Sequence, residues 1–134
     1  MRFTQDSSSS RNLIRSYAPG EIKINDEIFH HSLIVGPSSI AAGPAVSNAG
    51  ELTADHTAQI VALAPELVLV GTGARQVFPA AEFGAQFLRA GIGFEVMDTG
   101  AACRTFNVLV TEQRRVVALL LVYIQNKERR GVTS

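Results

Sequence analysis

Leu67-Val68-Leu69-Val70-Gly71-Thr72-Gly73 decides how the rest of this chain is read. The aliphatic run shows no polar alternation, so both faces of the segment are expected to be buried, as in the inner strands of a parallel sheet. It stops at Gly-Thr-Gly, where the backbone can turn sharply and a neighbour can approach closely. In open α/β sheets, ligands sit beyond the carboxyl ends of the strands. The stretch therefore marks both a central strand and the place to look for a site.

Helices flank it on either side. Upstream, Thr53 is an N-cap with Asp55 in the first turn; Ala58, Ile60, Val61, Leu63 and Ala64 supply the apolar content, and Pro65 stops the helix. Downstream, Pro79 suits a first helical turn, and Ala80, Phe83, Phe87 and Ala90 recur at helical spacing until Gly91. Gly84 weakens that helix and predicts close packing on the sheet. Phe94 to Met97 reads as a largely buried strand. Thr99 or Gly100 then opens a third helix with Ala102, Phe106, Leu109 and Val110 on its apolar face. Val116 to Ile124 is a continuous apolar run and the last strand. Strands and helices that alternate over short links predict βαβ construction.

Closer to the N-terminus, Asn12 to Tyr17 is a short strand and Ala18-Pro19-Gly20 a turn. Glu21 to Ile24 alternates polar and apolar, Asn25-Asp26 makes a tight turn, and Glu27 to Val35 returns, with its apolar second half entering the main sheet. Gly36 to Gly50 is long and irregular, a kind of segment that is often functional. Residues 1–11 and 126–134 read as polar tails around a single domain over residues 12–125.

A chain of 134 residues can build one core without disulfide staples. Formal net charge is zero, so no global basic field drives binding to nucleic acid or anionic lipid. Cys103 is alone, which excludes an internal disulfide and suits a reducing compartment. The longest apolar run is far short of the roughly 20 residues of a membrane helix, and Met1 to Tyr17 holds no signal-like apolar stretch. A cytoplasmic protein is expected.

Three constellations carry candidate chemistry. Gly71, Thr72 and Gly73, with Arg75 just beyond, could cradle an anion; the third glycine of a dinucleotide fingerprint and the Gly-Lys-Ser/Thr of a P-loop are both missing, and a plain strand-exit turn is the alternative. Glu95, inside its strand, reads as a general base with a raised pKa, or as a carboxylate paired with Arg75, Arg104 or Lys23, or as a partly exposed edge position. Asp98 and Thr99 start a helix whose free N–H groups, with Arg104 one turn in, form an anion site unless Asp98 or Thr99 caps them. Cys103 reads as a packed thiol. His30 and His31 point to opposite faces of a strand, His56 lies on a helix, and no metal-ligand spacing or cofactor motif is present.

The string Leu67 to Gly73, followed by Glu95-Val96-Met97-Asp98-Thr99 and by Ala102, Arg104-Thr105-Phe106-Asn107, Leu109, Glu112 and Arg115 to Ala118, resembles the Mth-type domain family of uncharacterised proteins. That family includes mitochondrial complex I assembly factor 3 and the adipogenesis-associated Mth domain-containing protein. The resemblance runs from Ile22 to Tyr123. It implies a three-layer α/β fold with a mixed central sheet of about five strands, helices, an N-terminal β-hairpin, and a last strand antiparallel to its neighbours. It implies no catalytic set. The mitochondrial relative works through protein contacts near a membrane, so an interaction or assembly-factor-like role with a protein partner, or self-association into a homo-oligomer, is expected rather than an enzyme. The alternative is a small anionic-ligand binder or enzyme at the carboxyl edge of the sheet, lined by Thr72, Arg75, Glu95, Asp98, Thr99 and Arg104.

Overall fold

The computed structural model describes residues 11–123. The tails expected over 1–11 and 126–134 fall outside these residues, apart from Arg11, whose Nη1 donates to the Val110 carbonyl at 3.1 Å. Eight strands and three α-helices follow one another as β1 (Ile14–Ala18), β2 (Glu21–Ile24), β3 (Glu27–Phe29), β4 (Leu33–Val35), β5 (Ile40–Ala42), α1 (Ala54–Val61), β6 (Leu67–Gly71), α2 (Ala81–Arg89), β7 (Gly93–Met97), α3 (Thr99–Thr111) and β8 (Val116–Leu120), with a 3-10 turn at Ala49–Glu51. The main sheet has the order β5-β4-β8-β6-β7, and β1, β2 and β3 form a separate antiparallel sheet.

Strand β6 pairs in parallel with β7 on one side and β8 on the other. Its side chains divide strictly between two cores. Leu69 joins Val116, Ala118 and Leu120 of β8, Leu33 and Val35 of β4, and Ile14, Ile22 and Ile24 of the small sheet, beneath Phe106 and Val110 of α3. Val68 and Val70 join Val117, Leu119, Ile34, Ile60, Phe83 and Phe87 on the face covered by α1 and α2. Period-two alternation with apolar residues on both faces explains why the sequence shows no polar alternation here. Each of these fully buried aliphatic side chains contributes about 1.5–3 kcal/mol. The result is three layers: α1 and α2, the five-stranded sheet, then α3 with the small sheet.

Several details differ from what the sequence suggests. The returning strand Glu27 to Val35 is cut at His30–Ser32, so that β3 stays in the small sheet while the apolar second half enters the main sheet, as expected, as β4. The hairpin gains β1 as a third strand. The irregular Gly36 to Gly50 segment contains β5, paired antiparallel with β4. The last strand, β8, is antiparallel only to β4 and is parallel to β6, because α3 carries the chain back across the sheet and returns it in the β6 direction. Glu95 is exposed rather than buried in its strand, which matches its edge-position reading, since β7 ends the five-stranded sheet.

Candidate functional site

The carboxyl end of β6 is a dense hydrogen-bonded knot. A methyl group on Gly71 would come within 2.8 Å of the Thr99 Cα and 3.1 Å of the Ala102 Cβ, so only glycine lets the first turn of α3 lie directly on this strand end. Gly73 adopts φ +96°, and a Cβ there would meet the Tyr123 ring at 2.5 Å. The Thr99 hydroxyl accepts from the Gly73 N–H at 2.7 Å and donates to the Leu121 carbonyl at 3.0 Å. In return, the Thr99 N–H donates to the Gly73 carbonyl at 2.9 Å. Tyr123 closes the turn by donating its hydroxyl to the Thr72 carbonyl at 3.2 Å.

Thr72 organises the loop beyond. Its hydroxyl donates to the Arg75 carbonyl at 2.7 Å and accepts from the Val77 N–H at 3.0 Å. Gln76 donates through Nε2 to the Val96 carbonyl at 2.9 Å, which fastens the loop to β7. Thus Gly71, Thr72, Gly73 and Thr99 are brought together, and their polar groups pair inside the protein. Asp98 caps α3, its Oδ1 accepting from the Ala101 N–H at 2.8 Å. The charged candidates do not converge. Arg75 and Glu95 are exposed, while Arg104, also exposed, borders a recess on the β1 side of α3.

That recess, of about 150 Å3, is lined by Ile14, Arg15, Ser16, Tyr17, Gly100, Cys103, Arg104 and Asn107. Burial, chiefly, with the nearby Cys103 and Asp98, raises the Tyr17 pKa. Burial also pushes the Cys103 thiol up to about 12, overriding the opposing pull of Arg104. Both groups are neutral at physiological pH. A larger cavity of about 720 Å3 lies between His31, Gly43, Pro44, Val46 and Tyr123. Among the described residues, no group of three or more His, Cys, Asp or Glu side chains could hold a metal ion, and no helix is long and apolar enough to cross a membrane.

Neither Tyr123 nor Asn107 stands out from the sequence pattern as a structural partner. Asn107 holds β1 through two bonds, accepting from the Ile14 N–H and donating to the Ile14 carbonyl, both at 2.8 Å. A polar side chain beside the apolar face of α3 was the available signal.

The sequence pattern of the DUF498/DUF598 family, proteins of unknown function, matches residues 14–121. A solved protein of Bordetella parapertussis is 40% identical, with a TM-score of 0.78 over 84% of this chain and 97% of that one. A Bordetella pertussis protein described as a Mth938-like domain is 32% identical, with a TM-score of 0.77 over 97% and 98%. The Danio rerio NADH dehydrogenase [ubiquinone] 1 alpha subcomplex assembly factor 3 is 32% identical over 119 residues, or 87% of this chain and 68% of that protein.

Proposed function

The chain belongs to the DUF498/DUF598 family, the Mth-type domain family that includes complex I assembly factor 3, and on that premise we propose that it is a non-enzymatic protein-interaction module, assembly-factor-like in its role. The observation that carries this reading is the loop after Gly73. Its backbone is fixed by Thr72 and Gln76, yet it presents Val77 and, 70% exposed, Phe78 to solvent. An aromatic side chain held out on an ordered loop pays little entropy on binding and is the residue type that anchors interfaces. The side chains of Thr72 and Gln76 beside it are engaged in the fold, and the surface that remains favours recognition of a partner surface. The assembly role of the Danio rerio relative agrees with that reading.

The test is affinity purification at native expression with wild type and Phe78→Ser, after matching their thermal melts. A partner recovered with the wild type is expected to bind the variant roughly 30-fold more weakly or worse, the size of a lost aromatic hot spot. Identical recovery with both proteins would sink the proposal.

A further inference from the structure

The recess between β1 and α3 is built from two irregularities that meet. On α3, Gly100, Cys103, Arg104 and Asn107 follow at the spacing that places residues on one helix face. Facing them are four consecutive residues of β1: Ile14, Arg15, Ser16 and Tyr17. A regular strand sends alternate side chains to opposite faces, so the side chains of a regular strand would not line one recess four in a row. Here the pairing register jumps, with Ile14 opposite Ile24 but Ser16 opposite Lys23, which leaves Arg15 as the extra residue of a β-bulge. A bulge re-aims side chains in this way and is enriched beside functional sites. Asn107 fixes the bulged backbone by bonding both polar groups of Ile14.

Charge and space agree. The Arg104 guanidinium folds back over Gly100, where its Nη1 and the Tyr17 ring lie 3.5 and 3.6 Å from the position a Cβ would take. Arg15 and Arg104 both line this recess, and its lining holds no carboxylate. Its other groups, the Ser16 and Tyr17 hydroxyls and the Cys103 thiol, are neutral. The nearest negative charge is Asp98, whose Oδ1 lies 3.4 Å from that same Cβ position and already accepts from Ala101.

The geometry points to an oxyanion-binding recess in which Arg15 and Arg104 hold a phosphoryl-sized group against the bulge of β1 and the floor at Gly100. Guanidinium forks match tetrahedral and planar oxyanions, and each charge-assisted pair is strong when two converge. The site is independent of the Phe78 loop and stands whether or not that loop contacts a protein.

The experiment is a titration of the 15N-labelled full chain with inorganic phosphate, against sodium chloride at equal ionic strength, followed by amide chemical shifts. Saturable shifts at Ser16, Tyr17, Gly100 and Arg104 are expected with phosphate only. Arg104→Gln and Arg15→Gln, both at exposed positions, are expected to weaken binding roughly tenfold or more each. Asp98→Asn keeps a good cap while removing the neighbouring charge, and it is expected to tighten binding by roughly three- to tenfold. Gly100→Ala places a methyl on the floor at ordinary contact distances and is expected to weaken binding without unfolding the chain. A parallel arm uses phosphatidylcholine vesicles with and without phosphatidic acid. Co-sedimentation lost in Arg104→Gln supports a lipid phosphate as the source, and phosphate binding without co-sedimentation supports a soluble phosphoester. Shifts that match those in chloride, or that all four variants leave unchanged, overturn the proposal.

Discussion

Cys103 lies in the first turns of α3, where the helix dipole and the neighbouring Arg104 both favour a thiolate. Burial outweighs them and moves the pKa from an ordinary 9.0 to about 12. The folded state therefore favours the neutral thiol. The stability this contributes is full below the ordinary thiol pKa and is lost as pH rises through about 12. At pH 8, a thiol reagent is expected to label Cys103 only in denaturant; rapid labelling of the native protein would show that the thiol is not sealed. The sequence already reads Cys103 as a packed thiol, because its neighbours are small and apolar. Glu95 shows the opposite case. Flanked by Phe94 and Val96, it leaves a buried base, an ion pair and an exposed edge position all open, and nothing local decides among them. Edge position depends on the order of strands, which residues far away in the chain decide.

Helix α2 shows a conflict between local propensity and packing. Gly84 sits in its middle, where alanine would add about 1 kcal/mol of helix propensity. A Cβ there would meet the Phe94 ring at 2.6 Å. That ring is stacked on Phe87 at 5.3 Å and lies edge-on to Phe83 at 5.9 Å, so it has little room to swing aside. Overpacking of this kind costs about 1–3 kcal/mol. Gly84→Ala is therefore expected to lower Tm in a thermal melt, whereas a raised Tm would mean that propensity wins. The helices were legible because their signals are local: Thr53 and Asp98 stand at the N-caps of α1 and α3 and Gly91 lies just past the end of α2, although α1 stops at Val61, short of Leu63, Ala64 and Pro65. Strand β5 was not. Ile40-Ala41-Ala42 carries no pattern of its own and is a strand only because β4 lies beside it.

Across the whole molecule, the small sheet of β1, β2 and β3 is fastened to the main body through α3. Its apolar contribution is Ile14, Ile22 and Ile24, and its polar anchor is Asn107. Asn107→Ala leaves both backbone groups of Ile14 without these partners, a loss of about 1–3 kcal/mol. Hydrogen exchange is expected to quicken at Ile14 to Phe29 while β6 and β8 keep their protection, since local stability follows local contacts. Uniform quickening across the chain would show that the two sheets unfold as one. The βαβ construction was legible from the alternation of helices and strands, the three layers were implied by the family resemblance, and Gly-Thr-Gly marked the tight strand exit at Gly71. The recess was not legible, because a register jump in β1 leaves no mark in residues 14–16.

Strand β8 stands at the centre of the five strands and comes last among them in the chain. A ribosome releases β5 with β4, and β6 with β7, as two fragments that share no edge with one another. Both must wait for Val116 to Leu120 before either core can close. Until then their apolar edges stay unpaired, which is the condition that exposes a nascent chain to aggregation and to chaperone capture. Folding of the sheet is therefore coupled to the end of this segment's synthesis, and the rate at which β8 finds its slot sets how long the chain remains vulnerable.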